Sequence, residues 1–154
     1  MSYRKIVIVG EDNLCRSFMG ETILRGLLRK KNITDIEVIS RGLVVLFSEP
    51  VSPIAAGLLR RHGYDVENFR SEQLTEEDLQ TADLVLTMTE EQAEKIRKDY
   101  QAPAACMFLG TFIDMEEPIP KAQEEGLEAY SQCFAGMEQL MEAVADRVIG
   151  ELLL

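Results

Sequence analysis

Ile6-Val7-Ile8-Val9 is a run of β-branched residues that passes through a short polar loop directly into a helical pattern opening on Arg16-Ser17. A run that is apolar at every position, rather than at alternate ones, fits a strand covered on both faces. Strands of that kind belong to parallel sheets, whose connections cross over through helices. The rest of the chain repeats the alternation. Residues 16–30 carry Met19, Ile23, Leu24, Leu27 and Leu28 at helical spacing and end in basic Arg29-Lys30-Lys31. Residues 36–39, 84–88 and 105–109 read as further strands. Pro53 opens a helix that continues to Arg61, with Gly63 as its stop signal. Thr75-Glu76-Glu77-Asp78 is a capping-box sequence, and Thr89 caps a helix from Glu90 to about Lys98. A last helix from about Glu124 places Leu127, Tyr130, Phe134, Met137, Met141, Val144 and Val148 on one face. Residues 40–50 read as a long loop, and its apolar stretch 43–47 is expected to pack inward. The expectation is an α/β fold: a small parallel sheet wrapped on both faces, in one domain spanning residues 1–154.

Charge and composition remove several function classes. Twenty-seven acidic residues against sixteen basic ones leave a net charge of −11, a field that repels polyanions, so no nucleic-acid partner is expected. The acidity is read as a source of solubility. There are three cysteines, Cys15, Cys106 and Cys133, without CxxC spacing, and one histidine, so neither a metal site nor a cofactor is expected. His62, at a helix end, is read as a surface residue near the C-terminal dipole. No apolar run approaches membrane-spanning length and the first residues lack the apolar core of a secretion signal, so no membrane partner is expected. A reducing, cytoplasmic setting is the default expectation.

The loop after the first strand holds the candidate chemistry. In parallel sheets, ligands bind beyond the carboxyl ends of the strands. Backbone N–H groups of Glu11, Asp12, Asn13, Leu14, Cys15 and Arg16 can converge there on one anion, aided by the dipole of the following helix. Arg16 adds a planar, permanently charged fork matching two oxygens. Phosphate, sulfate or a phosphorylated ligand is the expected class of partner.

The segment Val9-Gly10-Glu11-Asp12-Asn13-Leu14-Cys15-Arg16-Ser17-Phe18-Met19-Gly20-Glu21 resembles the signature V-C-x-G-N-x-C-R-S-x-M-x-E of the low-molecular-weight protein tyrosine phosphatase family, the phosphotyrosine protein phosphatase I-like group. The likeness continues through Ser40-Arg41-Gly42-Leu43, Glu49-Pro50 to Ala56, Phe69-Arg70-Ser71-Glu72-Gln73-Leu74 and Ala82-Asp83-Leu84-Val85-Leu86-Thr87-Met88, covering nearly the whole chain in order. It implies a three-layer α/β/α sandwich on a four-stranded parallel sheet of order 2-1-3-4, as in flavodoxin-like folds. It also implies that Asn13, Ser17 and Ser40 support the loop.

For activity the same resemblance is negative. The family's nucleophilic cysteine falls on Gly10, which has no atom to attack phosphorus. Cys15 matches the family's second cysteine, a neighbour or redox partner; as a nucleophile it would need its arginine at position 21, which is Glu21. The family's general acid lies in a D-P pair before the final helix. The best fit, Glu117-Pro118-Ile119-Pro120, puts Ile119 at the aspartate, with Asp114, Glu116 and Glu117 nearby as substitutes. Phe69 stands where the family has a histidine bracing the loop asparagine, and Asp12 replaces a loop glycine. The leading reading is a pseudophosphatase, catalytically impaired, that keeps an anion-binding loop. One alternative is an active aryl-phosphate hydrolase with a mechanism lacking phosphocysteine. Another is a regulatory or protein-interaction module using residues 43–47 or the acidic surface, its protein partner unidentified by sequence. Arsenate reduction is disfavoured, because it begins with the same missing cysteine.

Overall fold

A computed structural model describes residues 3–66, 68–103, 105–115 and 127–153. Strand β1 (Lys5–Gly10) is central: β2 (Glu37–Gly42) pairs with one side of it and β3 (Leu84–Thr87) with the other, and β4 (Cys106–Phe108) extends the sheet beyond β3. All pairings are parallel and the order is 2-1-3-4, as the family resemblance implied. Helices α1 (Arg16–Lys30), α2 (Pro53–Arg61) and α6 (Leu127–Leu152) cover one face, and α3 (Glu76–Thr81) and α4 (Glu90–Asp99) cover the other.

The continuous apolar run explains this arrangement. Successive side chains of a strand point to opposite faces, so Ile6 and Ile8 enter a core with Phe18, Ile23, Met137 and Val144. Val7 and Val9 enter a second core with Leu74, Leu79 and Ile96. All four strand residues are fully buried. At roughly 1.5–3 kcal/mol for each such side chain, a charge or polar group in this run would remove a large part of the folding free energy.

Local signals set most helix ends. Ser52 accepts the Ile54 N–H at 3.2 Å, with Pro53 in the first turn of α2. Thr75 with Asp78, and Thr89 with Gln92, complete reciprocal capping boxes at α3 and α4. Gly63, at φ +88°, takes the left-handed turn after α2. His62 caps that helix from an exposed position and stacks against Phe134 with centroids 4.4 Å apart.

Four expectations change. β2 runs on through Ser40, Arg41 and Gly42, because Ile8, Val9 and Gly10 pair with them; their polar composition concealed the strand. The stretch 43–47 does not pack inward as a unit. Leu43 is buried, but Val44, Leu46 and Phe47 are 43%, 83% and 79% exposed, since backbone bonds to the loop after β1 hold only the start of the segment down. Leu127, placed on the buried face of α6, is 54% exposed, whereas Cys133, Leu140 and Ala145 join that face. A four-residue helix, α5 (Leu109–Phe112), follows β4 and buries Leu109 and Phe112. The expected start of the last helix near Glu124 lies outside the described residues.

Candidate functional site

β1 ends at Gly10 beside the end of β2 at Gly42. The loop that follows therefore lies beyond the carboxyl edge of the sheet, where the connection leaving β1 runs toward β2 and that leaving neighbouring β3 runs the opposite way, toward β4. Leu43 N–H donates to the Gly10 carbonyl at 3.0 Å and Val44 N–H to that of Glu11 at 2.9 Å, tying the loop to the chain leaving β2. Gly42 permits this approach: a Cβ there would stand 2.9 Å from the Asp12 carbonyl carbon and 2.6 Å from Val45 Cγ2.

Asn13 is the centre of the loop. It is 1% exposed and adopts a left-handed φ of 65°, which asparagine tolerates better than most residues. Its Nδ2 donates to Ser17 Oγ at 3.1 Å and to Ser40 Oγ at 2.9 Å, while Oδ1 accepts the Glu72 N–H at 3.0 Å. Ser40 Oγ donates in turn to Glu21 Oε1 at 2.8 Å, and Arg25 pairs with Glu21 Oε2 at 2.8 Å. The three expected supports, Asn13, Ser17 and Ser40, are thus brought into one buried network. Sequence reading missed Arg25 and the Glu72 N–H as extensions of it. Phe69 takes no part; it stacks on Phe18 with centroids 4.3 Å apart, and the Glu72 backbone supplies the bracing bond.

The first turn of α1 differs from those of α2, α3 and α4. Cys15 holds its N-cap position without a side-chain cap, whereas Ser52, Thr75 and Thr89 cap the other three. The positive dipole end of this helix faces the loop side. Arg16 lines an open cleft of about 390 Å³ with Glu11, Leu43, Thr89, Glu91, Gln92 and Lys95, between the loop and the start of α4. One expected donor is already engaged: Leu14 N–H donates to Asp12 Oδ1 at 3.1 Å. Asp12 thus acts through its carboxylate and not through a left-handed backbone, a conformation that falls to Asn13.

Gly10 has no positive φ, so its backbone suits an ordinary residue. A Cβ there would meet Ser17 Oγ at 3.0 Å and Ser17 Cβ at 3.2 Å, a tight contact with one small side chain. A side chain at position 10 would therefore face the first turn of α1. Cys15 Sγ lies elsewhere, 3.6 Å from Cys133 Sγ on α6. The hydrogen bond to Cys133, then burial, push the Cys15 thiol well above the ordinary thiol range. Asp114 is exposed after α5 at φ 56°, while Glu116, Glu117 and Ile119 lie outside the described residues. Among the described residues, no group of three or more His, Cys, Asp or Glu side chains is placed to hold a metal. No helix among them is long and apolar enough to cross a membrane.

Fold and loop together define a parallel α/β protein whose first strand–loop–helix unit is fastened by a buried Asn13–Ser17–Ser40 network. The chain belongs to the low molecular weight phosphotyrosine protein phosphatase family, whose model matches residues 5–152. It is 33% identical over 131 residues to the protein named "Probable low molecular weight protein-tyrosine-phosphatase EpsP" of Ralstonia nicotianae, covering 81% of this chain and 87% of that one. Its fold is similar to the crystal structure of the low molecular weight protein tyrosine phosphatase from T. tengcongensis, with a TM-score of 0.85 at 26% identity, covering 93% and 98% of the two chains. It is also similar to Vibrio vulnificus Wzb in complex with benzylphosphonate, with a TM-score of 0.82 at 27% identity, covering 95% and 99%.

Proposed function

We propose that this chain is a phosphatase-fold protein that holds a phosphate-class anion on residues 11–16 and does not hydrolyse phosphomonoesters through a covalent intermediate. The observation that carries the reading is Gly10 at the end of β1. It stands against Ser17 with no side chain, while the Asn13-Ser17-Ser40 network around it is complete. A phosphocysteine mechanism needs a thiolate at that point. Removing such a nucleophile costs on the order of 10⁴–10⁶ in rate. Cys15 does not replace it: its sulfur lies against Cys133 on α6, and that hydrogen bond and burial disfavour its thiolate. Ile119 at the general-acid position extends the same reading from the sequence.

The binding half rests on the uncapped start of α1 and on the Arg16 guanidinium beside the loop. That Vibrio vulnificus Wzb is found with benzylphosphonate supports this class of ligand. Absence of a thiolate also removes a charge that would repel a phosphate dianion. The test pairs p-nitrophenyl phosphate hydrolysis with a phosphate titration followed by amide NMR. The expected result is no turnover above background, together with saturable shifts at residues 11–17 that Arg16→Ala weakens. Turnover abolished by Arg16→Ala would establish a non-cysteine hydrolase instead. No shift at millimolar phosphate would end the binding half.

The exposed Val44, Leu46 and Phe47 beside the loop favour a second reading, a protein-docking surface. Capture of a partner that is indifferent to Arg16→Ala but lost in Leu46→Ser/Phe47→Ser would support it.

A further inference from the structure

We propose that Cys15 and Cys133 form a covalent modification site: a hydroperoxide joins them in a disulfide that tethers the loop after β1 to α6. The two sulfurs are 3.6 Å apart although 118 residues separate them in sequence. Cys15 holds the N-cap position of α1 and is half-buried, so it is the sulfur an oxidant reaches first. Cys133 is buried on the core face of α6. The third thiol, Cys106, lies buried on β4 in the opposite core and does not compete.

The chemistry balances with one hydroperoxide. Cys15, as its thiolate, attacks the peroxide oxygen and is oxidised to a sulfenic acid as the O–O bond breaks; the departing oxygen leaves as water or alcohol. The Cys133 sulfur then attacks the sulfenic sulfur, the S–S bond forms, the S–O bond breaks, and the hydroxyl leaves as water with the second thiol proton. Two thiols are oxidised and one peroxide is reduced. The hydrogen bond to Cys133, burial and the Asp12 charge oppose the Cys15 thiolate, while neighbouring Arg16 favours it, so the reaction is slow near neutral pH and accelerates as pH rises.

A disulfide holds its sulfurs at about 2.0 Å, so they must close by about 1.6 Å. Phe134 and Met137, both buried just after Cys133, anchor that part of α6 in the core. Closing that gap draws Cys15, and with it the neighbouring Arg16, toward α6. Resting on the anion-binding reading above, the cross-link is expected to lower phosphate affinity about tenfold, which corresponds to about 1.4 kcal/mol.

The test treats the full chain with hydrogen peroxide across pH 7–9 and then blocks remaining thiols under denaturing conditions. The expected product is a linked Cys15–Cys133 peptide pair, with accessible thiols falling from the three in the sequence to one. The apparent melting temperature rises by about 5–10 °C and reverts with a thiol reductant. Cys133→Ser gives no linked pair. Three retained thiols, a linkage involving Cys106, or Cys15 recovered only as sulfinic acid would overturn the proposal without any variant. Phosphate titration of reduced and oxidised protein separates the two ideas. If the reduced protein binds no phosphate, the anion-binding reading fails and the peptide masses alone judge the cross-link. If phosphate binds both forms equally, the tether has no effect on the loop and the regulatory part is overturned.

Discussion

Asn13 Nδ2 stands 2.9 Å from Ser40 Oγ, so one amide fastens the loop after β1 to the adjacent strand β2. The same side chain bonds Ser17 and the Glu72 backbone, which makes it a buried group shared by three segments. Asn13→Ala would strand these partners and leave an alanine at positive φ. With about 1–3 kcal/mol for buried groups left unpaired and about 1 kcal/mol for the backbone conformation, a loss of about 3 kcal/mol is expected. Urea unfolding should show a lower midpoint at an unchanged slope. A loss below about 0.5 kcal/mol would mean that the network contributes little to stability.

On the proposed anion-binding reading, Asp12 competes with the incoming anion. Its carboxylate already occupies the Leu14 N–H, and its charge opposes any incoming anion. Asp12→Gly frees that donor and removes the repulsion, so phosphate should bind about tenfold more tightly. The gain should shrink as salt is raised. Unchanged affinity in a phosphate titration would remove Asp12 from the account.

Gly10→Cys restores a thiol with limited strain, because the close contact is to the Ser17 side chain and the backbone there is not left-handed. Turnover of p-nitrophenyl phosphate should rise at least about 10²-fold over the natural chain. Adding Ile119→Asp should contribute a further 10–10²-fold, roughly the reach of a general acid. A correctly folded double variant that remains at background would show that Asp12 and Phe69 have altered the loop itself.

The Cys15 thiol is raised first by its hydrogen bond to Cys133 and then by burial. Its alkylation by iodoacetamide should therefore be slow at pH 8 and climb with pH well beyond the ordinary thiol range. Removing the larger cause with Cys133→Ala should lower the pH midpoint of the Cys15 reaction. An unchanged midpoint would assign the raised thiol to burial alone.

The strand–loop–helix unit was legible because its signals are local. An unbroken β-branched run, the Arg-Ser helix start, Pro53 and the Thr75 and Thr89 caps each act within a few residues. The support roles of Asn13, Ser17 and Ser40 came from the family resemblance, and the structure joins them in one network. The continuation of β2 through Ser40, Arg41 and Gly42 was not legible, since pairing with β1 and not apolar character makes it a strand. Nor was the exposure of Leu46 and Phe47, because an apolar stretch in a loop carries no period to say which way it faces.

By itself, the sequence determined the parallel α/β class, the family resemblance and the glycine at position 10, where that resemblance expects a cysteine. These are properties of residue type and short-range order. Tertiary structure alone decided that Asp12 caps Leu14, that the Glu72 backbone replaces a bracing side chain, and that Cys15 meets Cys133. The physical reason is distance along the chain. Cys15 and α6 come within 3.6 Å through the packing of α1 against α6, and no local pattern records where two such residues meet.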